Sequence, residues 1–204
     1  MKRLLSFLTV LLLLIPTAVD ASSTKVNNIG ITCQIDQNGT ATFVEKWDMD
    51  VSEGTEGYKI FNGMNDQPLT LIGVTDDRGV TYKNIGTWDS DVSRESKINK
   101  CGLIKDGGHY ELCFGLGDYG TRSYTMVYQI EHFVNQYKDQ QGINYAFISD
   151  MSLDVSNVTI HVTGMTPYSK ENAKIWAFGY SGSVNFDNGG VILKTDSLGS
   201  NKMQ

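Results

Sequence analysis

The side chains best suited to chemistry in this sequence are three cysteines, three histidines and two carboxylates, Glu45, which breaks an apolar series, and Asp118. Cys101 and Cys113 flank Lys105-Asp106-Gly107-Gly108-His109, where Asp-Gly and Gly-Gly supply the positive φ angles that hairpin turns need. With the turn centred on Gly107, the two cysteines fall directly opposite each other. Cβ atoms of cross-strand neighbours lie about 4.5–5.5 Å apart, so a modest adjustment brings the sulfurs to bonding distance. A disulfide closing so short a loop contributes roughly 3 kcal/mol; two buried, reduced thiols are the alternative. Cys33 alternates with Ile31 and Ile35 and is expected as a small apolar core residue, which makes it a poor nucleophile.

Other chemistry fails on spacing. His109, His132 and His161 are far apart and lack the spacing of zinc ligands. Gly179-Tyr180-Ser181-Gly182-Ser183 lacks the last glycine of a nucleophile elbow and sits in a hairpin context. Asp48-Met49-Asp50-Val51-Ser52 opens like a calcium loop, but Glu53 stands where a glycine is needed and Lys59 where a bidentate glutamate is needed. Asp89-Ser90-Asp91 fails in the same way. Gly115-Leu116-Gly117 is followed by no helix, so it makes no phosphate cradle. No catalytic residue, cofactor site or metal site is assigned. What is left is recognition: Trp88, Trp176 and Tyr180 fall near predicted strand ends, where aromatic rings can stack on sugars, with core filling as the alternative. A hydrolytic reading would need Glu45 and Asp118 together in an open cleft.

The elements that position these residues are strands. Period-two alternation runs through Ile29–Ile35, and again through Ala41, Phe43, Trp47, Met49 and Val51 after the Asp36-Gln37-Asn38-Gly39 turn. Glu45 interrupts that second apolar series at an inward position, which suits an ion-paired or hydrogen-bonded group. Further strands are predicted at 69–74, 80–82, 123–130, 143–148, 158–162, 175–178 and 191–195, with hairpins at Gly107 and at Asp187-Asn188-Gly189-Gly190. One helical turn is expected within 167–173, with Ser169 as its N-cap. About ten short strands with glycine turns predict an all-β fold, a β-sandwich, in a single domain over residues 22–204.

Residues 1–21 are predicted to be a signal peptide: Lys2 and Arg3 precede an apolar run from Leu4 to Ile15, and Val19-Asp20-Ala21 marks cleavage after Ala21. The run is short of the roughly 20 apolar residues a membrane span takes. Removing Lys2, Arg3 and Asp20 leaves 15 basic against 22 acidic residues, a net charge of −7. With no basic cluster, this charge excludes the usual nucleic-acid readers, which group Lys and Arg against phosphates.

The order of motifs carries a resemblance. Ile31-Thr32-Cys33-Gln34-Ile35-Asp36-Gln37-Asn38-Gly39-Thr40 leads into Phe43-Val44-Glu45-Lys46-Trp47. Leu112-Cys113-Phe114-Gly115-Leu116-Gly117-Asp118-Tyr119-Gly120, Tyr145-Ala146-Phe147-Ile148 and Ile175-Trp176-Ala177-Phe178-Gly179 follow. This resembles the N-terminal extracytoplasmic domain of YciQ-like predicted bacterial membrane proteins, a domain without assigned function or defined catalytic residues. The resemblance implies continuation into transmembrane helices, of which none appears by Gln204. The chain is therefore expected to be either a fragment lacking a last edge strand or a shortened, secreted relative. The expected function is a non-enzymatic, extracytoplasmic interaction domain at the bacterial cell envelope, its partner an envelope protein or glycan. The alternative is a carbohydrate-binding module using Trp88, Trp176 and Tyr180.

Overall fold

The computed structural model describes residues 23–64 and 67–198, so the predicted signal peptide and the last six residues lie outside the described residues. In chain order the elements are β1 (Lys25–Ile35), β2 (Ala41–Val51), β3 (Glu56–Phe61), β4 (Leu69–Asp76), β5 (Lys83–Thr87) and α1 (Arg94–Lys97). They continue with β6 (Lys100–Asp106), β7 (His109–Gly115), β8 (Gly120–Ile130), β9 (Asn135–Gln136) and β10 (Gln141–Gly142). The last three are β11 (Val158–Thr163), β12 (Ser183–Asp187) and β13 (Gly190–Thr195). The fold is all-β and sandwich-like. A seven-stranded sheet, β12-β13-β11-β1-β2-β8-β4, faces a four-stranded sheet, β3-β7-β6-β5, and β9 and β10 form a separate ribbon.

Alternation sets the inner faces. Ile29, Ile31, Cys33 and Ile35 of β1, Ala41, Phe43, Trp47 and Met49 of β2, and Tyr124, Met126, Tyr128 and Ile130 of β8 are all buried. They meet Phe61, Tyr110, Leu112 and Phe114 of the smaller sheet in one core. The β1–β2 hairpin is held at its tip by Asp36, whose Oδ1 accepts from the backbone N–H groups of Asn38 and Thr40. β1 is flanked on its other side by β11 in parallel, with Ile29 opposite Val158 and Cys33 opposite Val162.

Several sequence expectations change. Residues 143–148 and 175–178 form no strands: Phe147 and Ile148 are buried in irregular backbone, whereas Trp176 and Phe178 point to solvent. Their apolar content mimics a strand because short apolar runs cap cores as readily as they build sheets. The predicted strand at 80–82 reduces to a single bridge, Thr75 to Thr81. The turn expected within 167–173 is present: Ala173 N–H donates to the Ser169 carbonyl at 2.9 Å, Ser169 Oγ accepts from Glu171 N–H as the N-cap, and Asn172 Oδ1 accepts from Ser169 N–H.

The expected Cys101–Cys113 pairing is overturned by register. Asp106 pairs with His109, so Gly107-Gly108 is a two-residue turn with Gly107 at φ +58°, the left-handed first position of a type II′ hairpin. Cys101 therefore opposes Phe114, and Gly102 opposes Cys113. A slip of one residue puts a side chain on the other face of a strand. Cys101 joins the inter-sheet core and Cys113 lies on the outer face; both are free thiols, as is Cys33.

Candidate functional site

Glu45 is completely buried, and the core answers its charge directly. Lys59, on the facing edge strand β3, lies 3.0 Å from Oε2 and 3.1 Å from Oε1. Trp47 Nε1–H donates to Oε1 at 2.7 Å and the Tyr128 hydroxyl donates to Oε2 at 2.7 Å. Lys59 also donates to the Phe147 carbonyl at 2.7 Å, pinning the irregular 145–153 segment against the sandwich. Burial, with the Glu45 charge second, pushes the Tyr128 phenol well above its ordinary range, so it serves as a donor. Every donor and acceptor of the pair is engaged, which marks a structural fastener between sheets. Lys59 escaped the sequence reading, although its place between Gly57 and Phe61 puts it inward on β3.

Asp118 lies elsewhere. It is 82% exposed and pairs with Arg78 at 3.0 Å, so the two carboxylates a hydrolytic reading needs are not brought together. Arg78 also grips Asp76, which Arg122 reaches as well, and Arg122 pairs with Asp77 at 2.7 Å. Burial raises the Asp76 carboxyl, but hydrogen bonds from Val80 and Arg78 outweigh it and hold the group below the usual carboxylate range. This cluster ties the β4 end to β8. Asp48 and Asp50 face outward on β2 and are taken by Lys46 and Asn28, and by Asn27 and Thr121. Among the described residues, no group of three or more His, Cys, Asp or Glu is placed to hold a metal ion.

The outer face of the smaller sheet is covered by the chain from Trp88 to α1. Trp88 is buried and its Nε1–H donates to Glu56 at 2.7 Å. Lys97, also buried, sits 3.0 Å from the same carboxylate. The close approach depends on Gly115, where a Cβ would lie 1.9 Å from the Lys97 carbonyl oxygen. Cys113 lies on this face, and burial, then Glu56 and Glu111, push its thiol up to about 12; burial pushes Cys101 up to about 11 and Cys33 further. All three thiols are expected to be silent to an aromatic disulfide reagent at pH 8 in the folded protein, because the reactive thiolate is both shielded and disfavoured. Unfolding without reductant should release three; a count of one would restore the Cys101–Cys113 bridge.

The three candidate ligand aromatics part company. Trp88 is buried on the smaller sheet. Tyr180 is partly buried and its hydroxyl is committed to the Ser183 carbonyl at 2.8 Å. Trp176 is 68% exposed, and Phe178, two residues on, is 64% exposed. A concave feature lies beside the β3 edge of the sandwich. There β3 and residues 148–153 border a cleft of about 220 Å³, floored by Trp47, Met49 and Leu116 and rimmed by Glu53 and Asp150.

Residues 25–203 match the family model described as the N-terminal domain of a predicted membrane protein (DUF2207). No curated protein matches. Among solved structures, the chain is similar to a "putative protease" from Parabacteroides distasonis, at 11% identity and TM-score 0.49, covering 90% of this chain and 40% of that one. It is also similar to an M1 zinc metallopeptidase from Deinococcus radiodurans, at 10% identity and TM-score 0.44, covering 89% and 42%. The chain thus spans less than half the length of these structures.

Proposed function

The chain belongs to this family of predicted membrane protein N-terminal domains, and from that membership we propose that it is a non-enzymatic interaction domain on the outer face of the bacterial envelope. The supporting observation is the pair Trp176 and Phe178, large apolar rings left to solvent on one stretch of irregular chain. Such rings are unusual on a free surface and common at the centre of interfaces. The partner in this reading is an envelope protein. Crosslinking of the full chain in intact envelopes should give a discrete adduct that the Trp176→Ala, Phe178→Ala variant loses. A specific hydrolytic activity on envelope substrates, or an adduct unchanged in the variant, would overturn it.

The exposed face of Trp176 also favours a glycan as second reading, now resting on that residue without Trp88. The chain has three tryptophans, and Trp47 and Trp88 are buried, so Trp176 is the exposed fluorophore. Titration with cell-wall sugars should quench or shift its emission; a flat response across a broad panel would reject the glycan.

A further inference from the structure

The β3 strand is an edge of its sheet, bonded on one side to β7. Leu116 N–H donates to the Thr55 carbonyl at 3.0 Å, and the register continues as Gly57 to Phe114, Lys59 to Leu112 and Phe61 to Tyr110. Antiparallel pairs alternate between bonded and non-bonded. The bonded positions are therefore 55, 57, 59 and 61, and the backbone N–H and C=O groups of Glu56, Tyr58 and Ile60 point away from β7, along the free edge. The Ile60 carbonyl is consistent with this, since it accepts the Ser149 hydroxyl from that side at 3.5 Å. Among the described residues, no backbone group bonds the Glu56 carbonyl or either backbone group of Tyr58. An unpaired edge is a template for another strand.

The cleft lies along this edge. At about 220 Å³ it falls below the roughly 300–1,000 Å³ of sites that enclose a small molecule, so it is sized for anchored side chains of a longer ligand. Its floor is apolar, with Trp47, Met49 and Leu116, and Gly57 contributes no side chain to it. Its rim carries the exposed carboxylates of Glu53 and Asp150. We infer that the Glu56–Tyr58 stretch of the β3 edge, short of Ile60 where Ser149 is already bonded, accepts an extended peptide segment of a partner protein as a fifth strand. The peptide sets an apolar side chain into the cleft and a basic residue beside Glu53 and Asp150. Main-chain bonds supply affinity in this mode, and the alternate side chains supply selectivity. The site is separate from the Trp176 surface and stands whether or not that surface binds anything.

The test is selection of a displayed library of short random peptides on the full chain. Enriched peptides should share an apolar residue flanked by Lys or Arg, and their binding should weaken with salt. Bound peptide should slow hydrogen exchange at the Tyr58 amide, which is expected to exchange fast in the free protein. Tyr58→Pro removes an N–H from the free edge without touching a β3–β7 bond, and should lower affinity about tenfold or more. Glu53→Lys with Asp150→Lys should lower it further, and Trp176→Ala with Phe178→Ala should leave it unchanged. Absence of enrichment would overturn the inference, as would equal binding by the proline variant. Protection of the Tyr58 amide in the free protein would do so too, by showing that the chain fills its own edge. Should the proline variant not fold, exchange at Tyr58 in the unmodified protein decides.

Discussion

Lys59→Met is expected to destabilise the protein by about 3–5 kcal/mol, because it leaves the buried Glu45 carboxylate without its cation. In a chain of this length that lowers Tm by on the order of 10 °C. The loss is not the strength of one bond. Glu45 would keep the Trp47 and Tyr128 donors, which orient it but do not neutralise it. The Glu45→Gln, Lys59→Met double variant should recover part of the loss, since a neutral amide needs no cation and its oxygen still accepts a hydrogen bond. Full recovery is not expected: the amide has a single acceptor oxygen for two donors, and the Phe147 carbonyl loses Lys59. Urea unfolding read by linear extrapolation measures all three proteins. A single variant as stable as the parent would show that the pair is dispensable.

Phe43→Ala carries an effect of the same order, about 3–5 kcal/mol, through a different mechanism. The Phe43 ring stacks on Tyr128 at 4.8 Å and 9°, and meets Phe133 edge-on at 5.4 Å. Tyr145 lies 5.8 Å away. Removing it opens a cavity among stiff rings that cannot close over it. It also frees Tyr128, whose hydroxyl serves Glu45. Phe43→Ala and Tyr128→Phe should therefore be non-additive, with a coupling of about 0.5–3 kcal/mol in a double-mutant cycle. Additive losses would mean that packing and the polar centre are independent.

The strands with clean alternation were legible in the chain, since β1, β2, β8 and β11 each keep one face largely apolar. The inward place of Glu45 was legible for the same reason, as a break in an apolar series. Its partner was not: alternation with Gly57 and Phe61 places Lys59 inward on β3, but nothing local tells which buried acid on the other sheet it meets. The Cys101–Cys113 hairpin was legible as a hairpin and misread by one residue. Both Gly107 and Gly108 can centre a turn, and only the pairing of Asp106 with His109 chooses between them. The 143–148 and 175–178 segments were misread because local apolarity does not say whether a neighbouring strand is present. Trp88 and Trp176 looked alike in sequence; Glu56 holds one under cover, and the other stands open to solvent.

The parallel contact of β1 with β11 joins residues about 130 positions apart, Ile29 beside Val158. Synthesis proceeds at about 5–20 residues per second, so β1 waits roughly 6–26 seconds after it is made before its neighbour exists. Through that interval the seven-stranded sheet stays split at its middle, with the backbone of Ile29–Gln34 uncovered on one side. Assembly of this domain is consequently a late event that closes from the C-terminal third of the chain. A ribosome stalled before Val158 would hold half a sheet, open to any other strand that reached it first.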